Sequence, residues 1–188
     1  MRKSYIIGYG TLLYSESLGH TIGSSVNKKK FIPVIVKGYK RIFNLLPDHY
    51  KPSFRMSTLP IELAAANVIP SEGVFFNGLA FMVSDAELAE LDKREKSYQR
   101  KEADIYDFFQ EKYMGKAFLY SAGYGFKGVT KDSRYLPEWE DLAFARTGAY
   151  RYGDKFGEMY DNTTFLVDGV TLASAYYKDY LSKLILDK

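Results

Sequence analysis

Hydrophobic positions in the first half of the chain come in short blocks bounded by glycine, proline and polar clusters, which is the pattern of β-strands. Ser4–Gly8 (SYIIG) is one such block and runs into a glycine-punctuated loop, Gly8-Tyr9-Gly10-Thr11-Leu12. A polar stretch, SSVNKKK, separates it from FIPVIVKGYKRIFNLLP. That second run is β-branched and aromatic, and its internal Gly38 predicts a bent or bulged strand. Beyond the Pro/Ser-rich PDHYKPSFRMSTLP, the blocks Ala65–Ile69 and Val74–Val83 predict two more strands, the later one with a bulge at Asn77-Gly78.

The period changes at Ser84. Ser84-Asp85-Ala86-Glu87 matches a capping box, with Ser at the N-cap and Glu three residues on, and predicts a helix to about Arg94. Tyr98–Phe109 and Lys116–Ala122 then predict strands joined by a turn near Met114-Gly115. Leu136–Tyr150 predicts a helix with Pro137 in its first turn, and Val170–Leu186 a closing helix. Strands first, with one inserted helix and then helices, argue for an α+β fold rather than a doubly wound parallel sheet.

Length and composition sharpen this picture. The 188 residues suit one domain, 1–188, with a core of about 4–150 and a C-terminal helical extension of about 151–188. Cysteine is absent, which excludes disulfides, thiolate metal sites and a cysteine nucleophile. A net charge of +3 with both signs interleaved lacks the footprint of a nucleic-acid binder, so no nucleic-acid partner is expected. Aromatic residues reach 16%, and 17 of them are Tyr, whose buried hydroxyls need partners and suit a lined cavity. No window approaches the roughly 20 apolar residues of a membrane span, and the basic start MRKSYIIGYGTLLYS has no cleavage site after it. A cytoplasmic protein without a membrane partner is the expectation.

Two places carry candidate chemistry. On the helix from Ser84, Leu88, Leu91 and Glu95 share one stripe, since seven residues turn a helix by about 700°. Glu95 therefore points where the leucines point, while Glu87, Glu90 and Lys93 face out. It also stands at the helix C-terminus, where the dipole disfavours a carboxylate. Burial and dipole together would raise its pKa toward that of a general base. The alternative on spacing alone is that Glu95 swings back to water or pairs with Arg94. The second place is the loop Gly8–Leu12, whose glycines let backbone N–H groups approach an anion or oxyanion, or else simply end the strand. Gly123-Tyr124-Gly125-Phe126-Lys127-Gly128 fits G-x-G-x-x-G but is followed by VTKDSR rather than a helix start, so dinucleotide binding is not supported. His20 and His49 are far apart, and no hydrolase or metal motif is present.

A first strand running into Tyr9-Gly10-Thr11-Leu12, followed by Leu91-Asp92-Lys93-Arg94-Glu95 and then Arg100, resembles the γ-glutamylcyclotransferase superfamily. Gly38-Tyr39-Lys40-Arg41, Ala65-Ala66-Asn67-Val68, Val74–Val83 with Gly78, Tyr135 and Gly148-Ala149 extend the likeness over about Tyr5–Ala149. The resemblance implies a small mixed β-barrel with flanking helices. It implies cyclisation of a γ-glutamyl group to 5-oxoproline with release of the attached amine or peptide, without a cofactor or metal. Glu95 would be the acid/base, the loop Tyr9, Gly10, Thr11 and Leu12 would hold the γ-glutamyl moiety, and Tyr135 would reach the pocket. Thr11 stands where many members carry Ser, and Lys96 where Gly often follows the glutamate. Arg94-Glu95 leans toward the glutathione-degrading, ChaC-type branch. A non-catalytic ligand-binding module of the same fold is the alternative.

Overall fold

In a computed structural model the chain is described at residues 3–46 and 63–178. The strands are β1 (Lys3–Gly8), β2 (Ile32–Leu45), β3 (Leu63–Ser84), β4 (Gln99–Asp107), β5 (Tyr113–Ser121), β6 (Leu136–Pro137) and β7 (Thr164–Phe165). The α-helices are α1 (Ser15–Ile22), α2 (Asp85–Arg94), α3 (Trp139–Tyr150) and α4 (Asp154–Asn162), with 3-10 turns at Thr11–Leu13 and Gly23–Lys28. The strands pair in the order β6-β3-β1-β5-β4-β2-β7, and β2 also pairs with β3. Strands β3, β1, β5, β4 and β2 thus form a closed ring, a small barrel, mixed because β1 and β5 run parallel while the other ring pairs are antiparallel. Closure removes the free edges that an open sheet of this size would expose.

Period-two alternation sorts the strand residues between two sides of the wall. Ile7, Val34, Val36 and Ala80 fill the barrel interior. Their neighbours Ile6 and Phe81 turn outward to a cluster with Leu18 and Leu91 under α1 and α2. Ile35 and Leu79 turn outward to Leu142, Ala145 and Phe156 under α3 and α4.

The α+β class and the mixed barrel hold, and so does the helix from Ser84. Its capping box is complete: Ser84 accepts from the Glu87 N–H, and the Glu87 carboxylate accepts from the Ser84 N–H at 2.7 Å. Gly38 does mark a break in the ladder, between the pairs Lys37↔Phe75 and Tyr39↔Pro70, though the extra residues lie on β3 and not on β2. Other expectations are corrected. Ala65–Ile69 and Val74–Val83 are one strand, because residues 71–74 loop out opposite Gly38 while the ladder resumes on both sides. Asn77-Gly78 makes no bulge; both stay in register with Ile35 and Val34. The β4–β5 turn lies at 108–112, and Gly115 sits within β5, where the register slips between Ile105 and Tyr106. Pro137 pairs with Ala64 instead of entering α3, which Glu138 caps by accepting from the Asp141 N–H. Helix α1 was not anticipated. The expected closing helix starts later, at residues 173–178, because 170–172 form a bend and the bridge Phe165↔Leu172; residues 179–186, like the stretch PDHYKPSFRMSTLP, lie outside the described residues.

Candidate active site

Topology brings the two candidate segments together. Because β3 is antiparallel to β1, Ser84 stands opposite Lys3 at the start of β1. Ten residues of helix at 1.5 Å rise then carry α2 back by about 15 Å toward the far end of β1. That end is where the loop Gly8–Leu12 begins. One cleft is accordingly lined by Tyr9, Gly10, Thr11, Leu12 and Glu95, together with Ala65, Ala66, Tyr98, Tyr120 and Asp141. It is a small cleft of about 50 Å³, open to solvent on one side.

Glu95 is the C-cap of α2, with its N–H bonded to the Leu91 carbonyl at 2.8 Å. Its side chain keeps only 15% of its exposure. Burial pushes its carboxyl above the ordinary glutamate range; the Arg94 guanidinium opposes the rise and the Asp141 carboxylate adds to it. Both readings of Glu95 from spacing are therefore present at once, since the carboxylate turns inward and also meets Arg94 Nε at 3.0 Å. Glu87, expected to face solvent, is instead held by Lys29 at 2.7 Å and by Ser25, which keeps its pKa at about 2.

Arg94 joins the site's parts. Its Nη2 donates to the Thr11 hydroxyl and to Ser17 Oγ, each at 3.0 Å. Its Nη1 donates to the Ser17 carbonyl and the Thr21 hydroxyl, each at 2.9 Å. One rigid guanidinium thus spans α1, the Thr11 side chain and the Glu95 carboxylate, a geometry that the planar fork of Arg suits. The tyrosine hydroxyls are anchored too. Tyr9 donates to the Tyr120 carbonyl, Tyr98 to the Ala66 carbonyl at 2.6 Å, and Tyr120 to Asp92 at 2.8 Å. Burial raises the pKa of Tyr9 and Tyr98 well above that of a free phenol, so both stay protonated donors.

The loop itself is shaped by close backbone approach. A Cβ on Gly8 would stand 2.8 Å from the Leu12 carbonyl oxygen, so only glycine lets the chain double back there. Gly10 precedes the 3-10 turn and no side chain caps it, which leaves the first N–H groups of the turn without partners inside it. On the other flank, Gly148 of α3 presses against the loop, with a Cβ position only 2.5 Å from the Leu13 carbonyl oxygen. That contact gives a physical reason for the Gly148-Ala149 pair.

Of the residues singled out from sequence, Tyr9, Gly10, Thr11, Leu12 and Glu95 meet in this cleft. Tyr135 is not among its described lining; it ends a turn in which its N–H bonds to the Asp132 carbonyl, one residue before β6. Asp141 and Tyr98 escaped sequence reasoning. An acid in the first turn of a helix reads simply as a complement to the dipole, and Tyr98 reads as the start of a strand. Gly123–Gly128 forms turns followed by an isolated bridge at Val129 rather than a helix, and the Gly128 carbonyl accepts from the Leu46 N–H at 2.8 Å. Among the described residues no group of three or more His, Asp or Glu gathers as a metal site, and no helix is long and apolar enough to cross a membrane.

Solved structures with the same fold define its class: this is the γ-glutamylcyclotransferase fold. A γ-glutamyl cyclotransferase superposes with a TM-score of 0.62 at 15% identity, over 97% of this chain and 99% of that one. A human protein solved as uncharacterized gives 0.64 at 16% identity, over 97% and 99%. A yeast γ-glutamyl cyclotransferase specific to glutathione gives 0.61 at 13%, over 87% and 98%. No family model matches the chain, and no curated protein does.

Proposed function

We propose that the protein is a γ-glutamylcyclotransferase that needs no cofactor, with Glu95 as its general acid/base. The observation that carries this reading is a mostly buried carboxylate with a raised pKa, sharing one cleft with the glycine-bounded loop Tyr9–Leu12. The chemistry asks for little else. The substrate brings its own nucleophile, an α-amine that attacks its own γ-carbonyl, so correct positioning supplies much of the acceleration. Glu95 takes the ammonium proton, and the new C–N bond closes the five-membered ring. The γ-carbonyl oxygen gains negative charge, which N–H groups at the start of the 3-10 turn stabilise. Glu95 then gives that proton to the leaving nitrogen as the old amide bond breaks, and the ring nitrogen sheds its second proton to the freed amine, which leaves as the ammonium. The products are 5-oxoproline and the free amine or peptide, with no change of oxidation state. The protonated Tyr98 and Tyr9 hydroxyls and the Asp141 carboxylate complete the polar lining around the reacting atoms.

The test is release of 5-oxoproline from glutathione, a γ-glutamyl amino acid and a γ-glutamyl amine, each incubated with the purified protein. Turnover of at least one supports the reading and identifies the substrate branch. Tight binding of one without any turnover supports instead a module of this fold that binds and does not react.

A further inference from the structure

A fully buried arginine touches the backbone of the cleft loop without being among the residues that line the cleft, and the reaction above makes no use of it. Arg41 of β2 has no solvent exposure. Its Nε donates to the Thr164 hydroxyl at 2.7 Å, and its Nη1 to the Asn77 carbonyl at 2.7 Å and the Tyr9 carbonyl at 3.4 Å. Its Nη2 donates to Asn77 Oδ1 at 3.0 Å, the Thr163 hydroxyl at 3.1 Å and the Tyr160 carbonyl at 3.3 Å. Every one of these acceptors is neutral. Asp161 attracts the guanidinium from further off, but its own carboxylate is held by Arg146 at 2.8 Å. Burial lowers the pKa of Arg41 to about 10, which leaves it charged at neutral pH.

A cation withdrawn from water into such a setting is costly unless neighbouring dipoles compensate it. Part of that compensation is structural. The Tyr160 carbonyl belongs to the last turn of α4, where the helix dipole favours a cation, and the Tyr160 ring lies 4.0 Å beneath the guanidinium. This accounts for the α4 side of the arginine and not for its reach to Tyr9. The Tyr9–Gly10 peptide is trans, so the Tyr9 carbonyl and the Gly10 N–H point in opposite directions across one plane. A carbonyl that faces Arg41 turns that N–H away from Arg41, and Gly10 itself lines the cleft.

We infer that Arg41 is a positioning residue for the cleft: it fixes the Tyr9–Gly10 peptide with its N–H toward the ligand, and its buried charge favours a ligand carrying a carboxylate there. The first half stands on the geometry alone, and the second rests on the γ-glutamyl reading.

Three variants separate this role from simple anchoring of α4. Arg41→Met removes the charge, Arg41→Lys keeps it without the fork and serves if the Met variant does not fold, and Thr164→Val removes bonds on the α4 side alone, from Arg41 Nε and to the Tyr160 carbonyl. In the ligand-free protein, the Gly10 amide resonance should shift in Arg41→Lys and stay in place in Thr164→Val. A Gly10 signal unmoved by Arg41→Lys, or moved equally by Thr164→Val, overturns the positioning role. For the second half, the probes are L-5-oxoproline and its neutral amide. Arg41→Met should weaken L-5-oxoproline by about tenfold while changing the amide by less than about threefold, and Arg41→Lys should keep the preference for the acid. Equal losses for both probes overturn the charge role. Wild-type protein that binds neither probe refutes the γ-glutamyl reading and the charge role together, and the Gly10 resonance still decides the first half.

Discussion

Replacing Gly148 by alanine sets two effects of known sign against each other. In a helix interior the change alone should stabilise, by up to about 1 kcal/mol from propensity. At Gly148, however, the new methyl would stand 2.5 Å from the Leu13 carbonyl oxygen, 2.6 Å from its carbon and 3.0 Å from the Tyr14 nitrogen. All three are backbone atoms of the segment that follows the cleft loop, so no side chain can swing away. Helix α3 or the loop must shift by several tenths of an ångström, and overpacking of this kind costs about 1–3 kcal/mol. The steric effect cancels or outweighs the propensity, and the net loss is about 0–2 kcal/mol, or up to about 8 °C in Tm for a chain this size. The cleft should open with it, because α3 carries Asp141 on one side and the loop carries Thr11 and Leu12 on the other. Gly19→Ala in α1 is the control, since its methyl meets only Val26 Cγ1 at an ordinary 3.5 Å and should gain the propensity in full. Urea unfolding of both variants reads the result. A Gly148→Ala protein as stable as Gly19→Ala would refute the packing of α3 on the loop.

Two further outcomes follow from the electrostatics. Arg94→Met removes the cation that holds the Glu95 pKa down, so the acid limb of the rate profile should move to higher pH; a limb that stays or moves lower would contradict the pairing. Because the pKa of Glu95 is raised in the folded state, its contribution to stability is fully present below the ordinary glutamate value and is lost as pH rises through the folded value. Glu95→Gln should therefore gain stability over wild type at pH 8 relative to pH 4, and denaturant midpoints at the two pH values would contradict this if the difference were absent or reversed.

What could be read from the sequence was what local chemistry decides. The Ser84–Glu87 box is complete within four residues, and Gly38 marks where the β2 ladder breaks. Helix α1 is different. It begins after Tyr14 with no side-chain cap, contains Gly19, and buries only Leu18, so nothing local announces it. Arg94, from a segment more than seventy residues away, bonds to its Ser17 and Thr21. Asn77-Gly78 misled for the same reason. A dipeptide that commonly marks a turn stays in a regular ladder because Arg41 and the Phe156 carbonyl take both ends of the Asn77 amide. In the site, Glu95 and the loop were legible through spacing and resemblance. Asp141 was not, because only the packing of α3 against the loop brings it to the cleft.

The central claim is that Glu95 moves the proton, and Glu95→Gln tests it most directly. The substitution keeps shape and volume but cannot accept the ammonium proton. With a γ-glutamyl substrate that the wild type turns over, the account predicts that binding persists while 5-oxoproline formation falls by about 10²-fold or more. Undiminished 5-oxoproline formation by the folded Glu95→Gln protein would contradict it.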